Sequence, residues 1–156
     1  NALGEPVKFV GFANYTTILK DPVFLTSLGV TLIFVVAVTG LTTICALALA
    51  NLARKHLLGT VIFRTFFAST MGVSVSAASV LWLFFFQPTT GVSDMILNAL
   101  HLPPIHWLTG NVWALVAVIL TVVWMNIGFA FLAISGALEN VPTHLYETAE
   151  IEGITP

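Results

Sequence analysis

Charged side chains cut this chain into long apolar stretches. No Asp, Glu, Lys or Arg occurs from Pro22 to Ala53, from Thr65 to Ser93, or from Met95 to Leu138. A helix that crosses the hydrocarbon core of a bilayer needs about 20 apolar residues. The first stretch therefore predicts a span over 27–52, and the second a span over 65–86. The third is too long for one helix, and Pro103, Pro104, Gly110 and Asn111 interrupt it. That leaves a span over 112–138, with Asn111 as its N-cap. Runs of this length exclude the strands of a membrane barrel, which are about 10 residues long and alternate.

The connections carry their own patterns. Val92, Met95, Ile96, Ala99 and Leu100 recur at helical spacing, with Ser93, Asp94, Asn98 and His101 on the other face. This predicts an amphipathic helix over 92–102 lying flat on the outer membrane surface, with Trp107 at the headgroup level. Asp21 and Pro22 supply a cap and a first helical residue, and the helix that starts there leads into the first span. Arg54, Lys55 and Arg64 lie in the connection between the first two spans, whereas the next connection has no Lys or Arg. By the positive-inside rule the first connection is cytoplasmic and the second external, which puts the C-terminal segment in the cytoplasm.

Composition settles the class. The chain is 58% hydrophobic and only 8% charged, against about 25% charged in an ordinary soluble domain. A chain this short has too little interior to hide so much apolar surface, so lipid is the expected solvent. A net charge of −2 with five Lys and Arg excludes a nucleic-acid partner, which needs a basic footprint. Cys45 is the single cysteine, so no intrachain disulfide forms and no cysteine metal site is expected. Asn1 stands where an initiator Met would, no signal-peptide pattern follows, and the chain stops at Pro156 just beyond a short polar segment. The expectation is an internal piece of a longer protein.

Little here supports enzyme chemistry. The chain has no phosphate-binding loop of the G-x-x-x-x-G-K-[ST] type, no G-x-G-x-x-G and no H-E-x-x-H, so no catalytic residue and no cofactor are expected. His56, His101, His106 and His144 fall outside the spans at no metal-binding spacing. The absence of charge inside the spans argues against a proton relay or an intramembrane aspartic protease. Ser69, Gly72, Ser74, Ser76, Ala77, Ala78 and Ser79 crowd the second span. Such small residues serve either close helix packing or, through Ser74 and Ser76, a polar path. Asn126, two residues after Trp124 and near the middle of the third span, serves either as an interhelical hydrogen bond or as a solute contact. Ser74, Ser76, Trp124 and Asn126 are the candidate path residues.

The stretch ENVPTHLYETAEIEG, Glu139 to Gly153, is acidic and without Lys or Arg. Pro142 suits a first helical turn. Glu147 and Glu150 share a face, Ala149 and Gly153 are small, and Leu145, Tyr146 and Ile151 add apolar contact. A polar helix over 141–153 follows, either solvated or docked on a partner in water.

The same stretch resembles the cytoplasmic EAA loop of binding-protein-dependent ABC importer permeases, whose core reads E-A-A-x-x-D-G. Glu147, Ala149 and Gly153 match, while Thr148 replaces the first Ala and Glu152 the Asp. VPTHLYE is similar to I-P-x-E-L-Y-E ahead of that core. FVGFANYTTILKDPVF, Phe9 to Phe24, resembles F-V-G-L-x-N-Y and D-P-x-F of the carbohydrate-type permeases, those for maltose and glycerol phosphate. Phe63, Arg64, Phe66 and Phe67 resemble F-R-x-x-F-F, and VLWLFFFQPTTGVSDMIL resembles W-x-x-x-F-x-P-x-x-G-x-x-N. The pieces occur in order over nearly the whole chain. Ala68 and Ser69 stand where many relatives carry Leu-Pro, which leaves the local bend of the second span open.

The resemblance implies an all-α integral membrane fold: three helices of a type I (MetI-like) permease domain and the start of its coupling helix. It implies a multi-pass protein of a prokaryotic inner membrane, part of the path for a sugar or polyol-like solute. It implies as partners ABC ATPase subunits, a second permease subunit and an extracytoplasmic solute-binding protein, besides membrane lipid. Leu145, Tyr146, Glu147, Ala149 and Gly153 would then dock on the ATPase. Two rival readings are a noncatalytic membrane subunit and an ion-driven secondary transporter. The second should show broken helices or intramembrane charges, and the sequence displays neither.

Overall fold

The computed structural model describes residues 9–54, 60–142, 144, 148 and 151–153, and among them every regular element is helical. The order is α1 (Ala13–Lys20), α2 (Pro22–Arg54), α3 (Thr60–Ser69), a 3₁₀ turn (Thr70–Gly72), α4 (Val75–Phe85), α5 (Val92–Ala99) and α6 (Asn111–Glu139). Packing divides the chain into two units that meet at Val36 and Ala37.

In the first unit α1 stops at Asp21, whose backbone is extended at φ −72° and ψ 119°. The Asp21 carboxylate accepts the Val23 N–H at 2.8 Å, and Pro22 opens α2. Large apolar side chains such as Val23, Leu25, Leu32, Ile33 and Val36 are exposed all around α2. A helix apolar on every side is one whose surroundings are lipid or other membrane helices.

In the second unit Ala46, Ala50 and Ala53 form one buried stripe of α2 at spacings of four and three residues. They close on Phe131 of α6, which is fully buried, and Leu49, Phe67, Ala130, Ile134 and Leu138 pack around them. Small residues let the two backbones approach, which is how helices associate where the hydrophobic effect offers nothing. Both α2 and α6, at 33 and 29 residues, are long and apolar enough to cross a bilayer.

The second apolar stretch, expected as a span over 65–86, is bent. Its two parts, Arg64–Gly72 and Val75–Phe85, meet at 106°. No proline makes this bend. The 3₁₀ turn tightens the end of α3, Val73 is extended at φ −82° and ψ 124°, and Ser74 restarts the helix as the N-cap of α4. The bend rests on Gly128 of α6, where a Cβ would stand 2.2 Å from the Phe67 carbonyl oxygen and 2.3 Å from Thr70 Oγ1. The phenyl rings of Phe67 and Phe131 meet next to it, centroids 5.6 Å apart.

Two smaller expectations are corrected. Gly110, not Asn111, occupies the N-cap position of α6, and no side chain caps it. The helix expected over 92–102 is α5, Val92–Ala99, and its polar face is divided: Ser93 and Asp94 are buried, Asn98 and His101 are exposed, and the apolar Val92, Met95 and Ile96 are exposed as well. The cause is the turn before it. Thr89 is held at φ +68°, and its N–H donates to Asp94 Oδ2 at 2.8 Å. A β-branched residue in the left-handed region is strained, and the buried carboxylate that holds it there cannot also face solvent.

Candidate functional site

Three places hold the residues singled out by the sequence. The first is the acidic segment after α6. Asn140 is the C-cap of that helix; its N–H reaches the Ala137 carbonyl at 3.2 Å and its Nδ2 donates to the Gly136 carbonyl at 2.8 Å. Val141 donates to the Leu138 carbonyl at 3.3 Å, and Pro142 follows. Leu145, Tyr146, Glu147 and Ala149 lie outside the described residues. Those on either side are helical: Thr148 donates its hydroxyl to the His144 carbonyl, and the Glu152 N–H reaches the Thr148 carbonyl at 3.0 Å. Ile151 is 86% exposed. Gly153 has φ +79° with open space around it. Glycine is needed there for a left-handed residue that ends a helical turn.

At the base of this segment Glu139, the last residue of α6, forms an ion pair with Arg64 of α3. The two stand 75 residues apart in sequence.

The second place is a groove of 310 Å³ between α2 and α6, lined by Val38, Thr39, Thr42, Thr43, Asn126, Phe129 and Ala130. Asn126 uses its amide N–H on its own helix, donating to the Val122 carbonyl at 2.7 Å. Its side chain makes no interhelical hydrogen bond among the described residues, and its carbonyl oxygen is left as an acceptor at an exposed position. Thr42 is 8% exposed, and its hydroxyl has no hydrogen-bond partner among the described residues. The threonine set was missed in the sequence. Thr39, Thr42 and Thr43 fall at i, i+3 and i+4, the signal that would have found them as one polar face in an apolar helix.

Trp124 does not join Asn126. Its ring packs edge-on against Trp82 of α4, centroids 5.8 Å apart. Two residues apart on a helix, the two side chains point to nearly opposite sides. Ser76 is exposed on α4. Ser74 accepts the Ala77 N–H at 3.2 Å as the cap of α4. Replacing it by alanine should cost ~0.5–2 kcal/mol, read as a lower melting temperature of the purified full-length protein, while Ser74→Asn keeps the cap and the melting temperature. Loss of transport in Ser74→Ala at an unchanged melting temperature would instead mark the hydroxyl as a solute contact.

The third place lies around α5. Trp82, Phe85, Phe86, Trp107 and Trp113 form a chain of rings with neighbouring centroids 5.0–5.3 Å apart. Trp82, Phe86 and Trp107 also line a largely apolar groove of 390 Å³ between α4 and α6. Among the described residues no group of three His, Cys, Asp or Glu is placed to hold a metal ion.

No protein-family model matches the chain. It is 35% identical over 147 residues to the sn-glycerol-3-phosphate transport system permease protein UgpA of Rhizobium meliloti (strain 1021), which covers 93% of this chain and 49% of that protein. It is 32% identical over 151 residues to the sulfoquinovosyl glycerol transport system permease protein SmoG of Agrobacterium fabrum (strain C58 / ATCC 33970), covering 96% and 49%. The chain thus spans about half the length of the curated relatives it matches. Its fold matches a chain in the crystal structure of a bacterial alginate ABC transporter in complex with an alginate pentasaccharide-bound periplasmic protein. There the TM-score is 0.75 at 22% identity, over 94% of this chain and 51% of that one.

Proposed function

The chain is a homologue of binding-protein-dependent ABC permeases of the UgpA and SmoG type, and on that premise we propose that it forms part of the membrane path of an ATP-driven importer. Its homologues are transporter permease subunits and not enzymes. The solute is of the glycerol-phosphate or sugar-like class, in line with the solutes for which the relatives are named. The observation that carries this reading is that the match to a permease covers 98% of the chain, membrane helices and acidic segment alike.

The mechanism is alternating access. An external solute-binding protein delivers solute near the turn that holds α5. Ser74, Ser76, Trp124 and Asn126 are its candidate contacts, and the groove of Thr39, Thr42 and Thr43 around Asn126 offers hydroxyl and amide groups suited to a polyol. The energy comes from ATPase partner chains on the cytoplasmic side of a prokaryotic inner membrane, and a second permease subunit completes the path. Segment 141–153 is the lever between ATPase and path: Glu147 pairs with a cation of the ATPase, Ala149 lets it close in, and Leu145 and Tyr146 add apolar contact. A short helix that is docked firmly transmits displacement, and Gly153 ends it at a fixed point.

The expected result is lost coupling in Glu147→Lys and Gly153→Leu, measured in the full-length permease reconstituted with its ATPase and binding protein. Solute uptake should fall by about 5- to 150-fold, the range of a coupling free energy of about 1–3 kcal/mol. Gly153→Asn tolerates a left-handed backbone and should lie between Gly153→Leu and the unaltered protein. Uptake and solute-stimulated hydrolysis that survive both Glu147→Lys and Gly153→Leu overturn the lever.

One observation favours a second reading. The 106° break at Val73 and Ser74 is the kind of discontinuous helix from which ion-driven transporters build their sites. Here the break is satisfied within the chain: Val73 donates to the Thr70 carbonyl and Ser74 caps α4. Uptake that follows an ion gradient without ATP would decide for this alternative.

A further inference from the structure

We propose that the Arg64–Glu139 ion pair is a strut that passes displacement of the acidic segment to α3, the half of the broken helix on the same side of the membrane. The inference rests on the coupling role just assigned to that segment and adds two positioning residues to it.

Glu139 occupies an unfavourable place. It is the last residue of α6, where unpaired carbonyls give the helix its negative end and a carboxylate is repelled. Arg64 supplies the compensating charge from another helix. Its Nε is buried without a partner among the described residues, so the guanidinium is partly enclosed as it reaches Glu139. The side chains remain 37% and 56% exposed, and a pair this open to solvent adds little to stability. A residue that breaks a local rule for so small a gain in stability points to a geometric role.

The pair sits where geometry counts. Only Asn140 and Val141 separate Glu139 from Pro142 at the head of the acidic segment, and both are tied back to the last turn of α6. Arg64 lies midway along α3, and beyond it the helix is seated on α6 through Phe67, Thr70 and Gly128. Tied at Arg64 as well as at Phe67 and Thr70, α3 and the end of α6 move as one body. A tilt of the acidic segment is then delivered to the extended joint at Val73 and Ser74 rather than lost in a loose α3. Without the pair, the end of α6 loses this tie to α3 and less of the tilt reaches the joint.

The test is charge exchange in the full-length permease, reconstituted with its ATPase and binding protein. Arg64→Glu and Glu139→Arg should each lower the ratio of solute transported to ATP hydrolysed by about tenfold, with complex assembly and unstimulated hydrolysis retained. The double exchange, Arg64→Glu with Glu139→Arg, should restore the ratio to within about threefold of the unaltered protein. A ratio unchanged in both single variants, or a double variant no better than the worse single one, overturns the strut. Should Arg64→Glu not assemble, Arg64→Lys and Arg64→Gln decide: a higher ratio in Arg64→Lys supports the pair, and equal ratios refute it. An unaltered complex with no ATP-dependent uptake would be a failure of the importer reading, which the same assay registers separately.

Discussion

Gly128→Leu is expected to prevent assembly of the folded permease, and Gly128→Ala to lower its stability by roughly 1–3 kcal/mol, the usual cost of forcing extra carbon into a packed site. The site has no slack. A Cβ at Gly128 would stand 2.2 Å from the Phe67 carbonyl oxygen, and that oxygen already accepts the Thr70 hydroxyl at 2.8 Å. The obstacle is main chain, at the end of a helix whose last turn is a 3₁₀ turn. Relief would require α3 to move away from α6, which would part Phe67 from Phe131 and open the core made with Ala46, Ala50 and Ala53. Native proteins hold only about 5–15 kcal/mol in total, so leucine, with three further carbons to place, should exceed what the fold tolerates. Thermal unfolding in detergent and size-exclusion chromatography read both effects. Thr70→Ala removes only one of the two close atoms and should rescue Gly128→Ala in part. A melting temperature unchanged in Gly128→Ala would mean that α3 does not rest on α6 at this point.

Gly128 also marks the limit of what the sequence makes legible. Long apolar helices reveal themselves through the absence of charge, and α2 and α6 are read in that way. The break in the second stretch is invisible to the same criterion, because every residue from Thr65 to Phe86 is uncharged whether the helix is straight or bent. Proline, the usual sign of a bend, is missing at Ala68 and Ser69. The bend comes from the Gly72–Val73–Ser74 sequence, in which small residues also fit plain packing. Its partner is a glycine 56 positions away from Gly72 whose role depends on a tertiary contact. The ion pair between Arg64 and Glu139 was hidden for the same reason. Each residue has a local reading, one as a cytoplasmic positive charge and the other as the start of an acidic segment, and only the fold joins them. For α5, periodicity gives the helix but not the fate of its polar face, which is set by the hydrogen bond from Thr89 to Asp94.

The turn before α5 gives the second large effect. Gly91→Ala should destabilise the connection between α4 and α6 by roughly 1–3 kcal/mol, and the reason is space rather than backbone conformation. Gly91 has φ −73° and ψ 152°, which any residue can adopt. Its Cβ position, however, lies 2.4 Å from the Gln87 carbonyl oxygen, 2.6 Å from that of Phe85 and 2.8 Å from the Gln87 nitrogen, all main-chain atoms. Its own N–H donates to the Gln87 carbonyl at 2.9 Å, which fixes the close approach. A side chain would have to push the end of α4 away and take with it Phe86, which is buried between Trp82 and Trp107. The indole emission of the full-length protein should therefore shift in Gly91→Ala, along with a lower melting temperature. Asp94→Asn keeps an acceptor for the Thr89 N–H and should change neither, whereas Asp94→Leu removes it and leaves a strained Thr89 with nothing to hold it. Unaltered emission and melting in Gly91→Ala would show that this turn is free to rearrange. In that case it could not present α5 to an external partner in one orientation, and a delivery site for a binding protein needs a fixed surface.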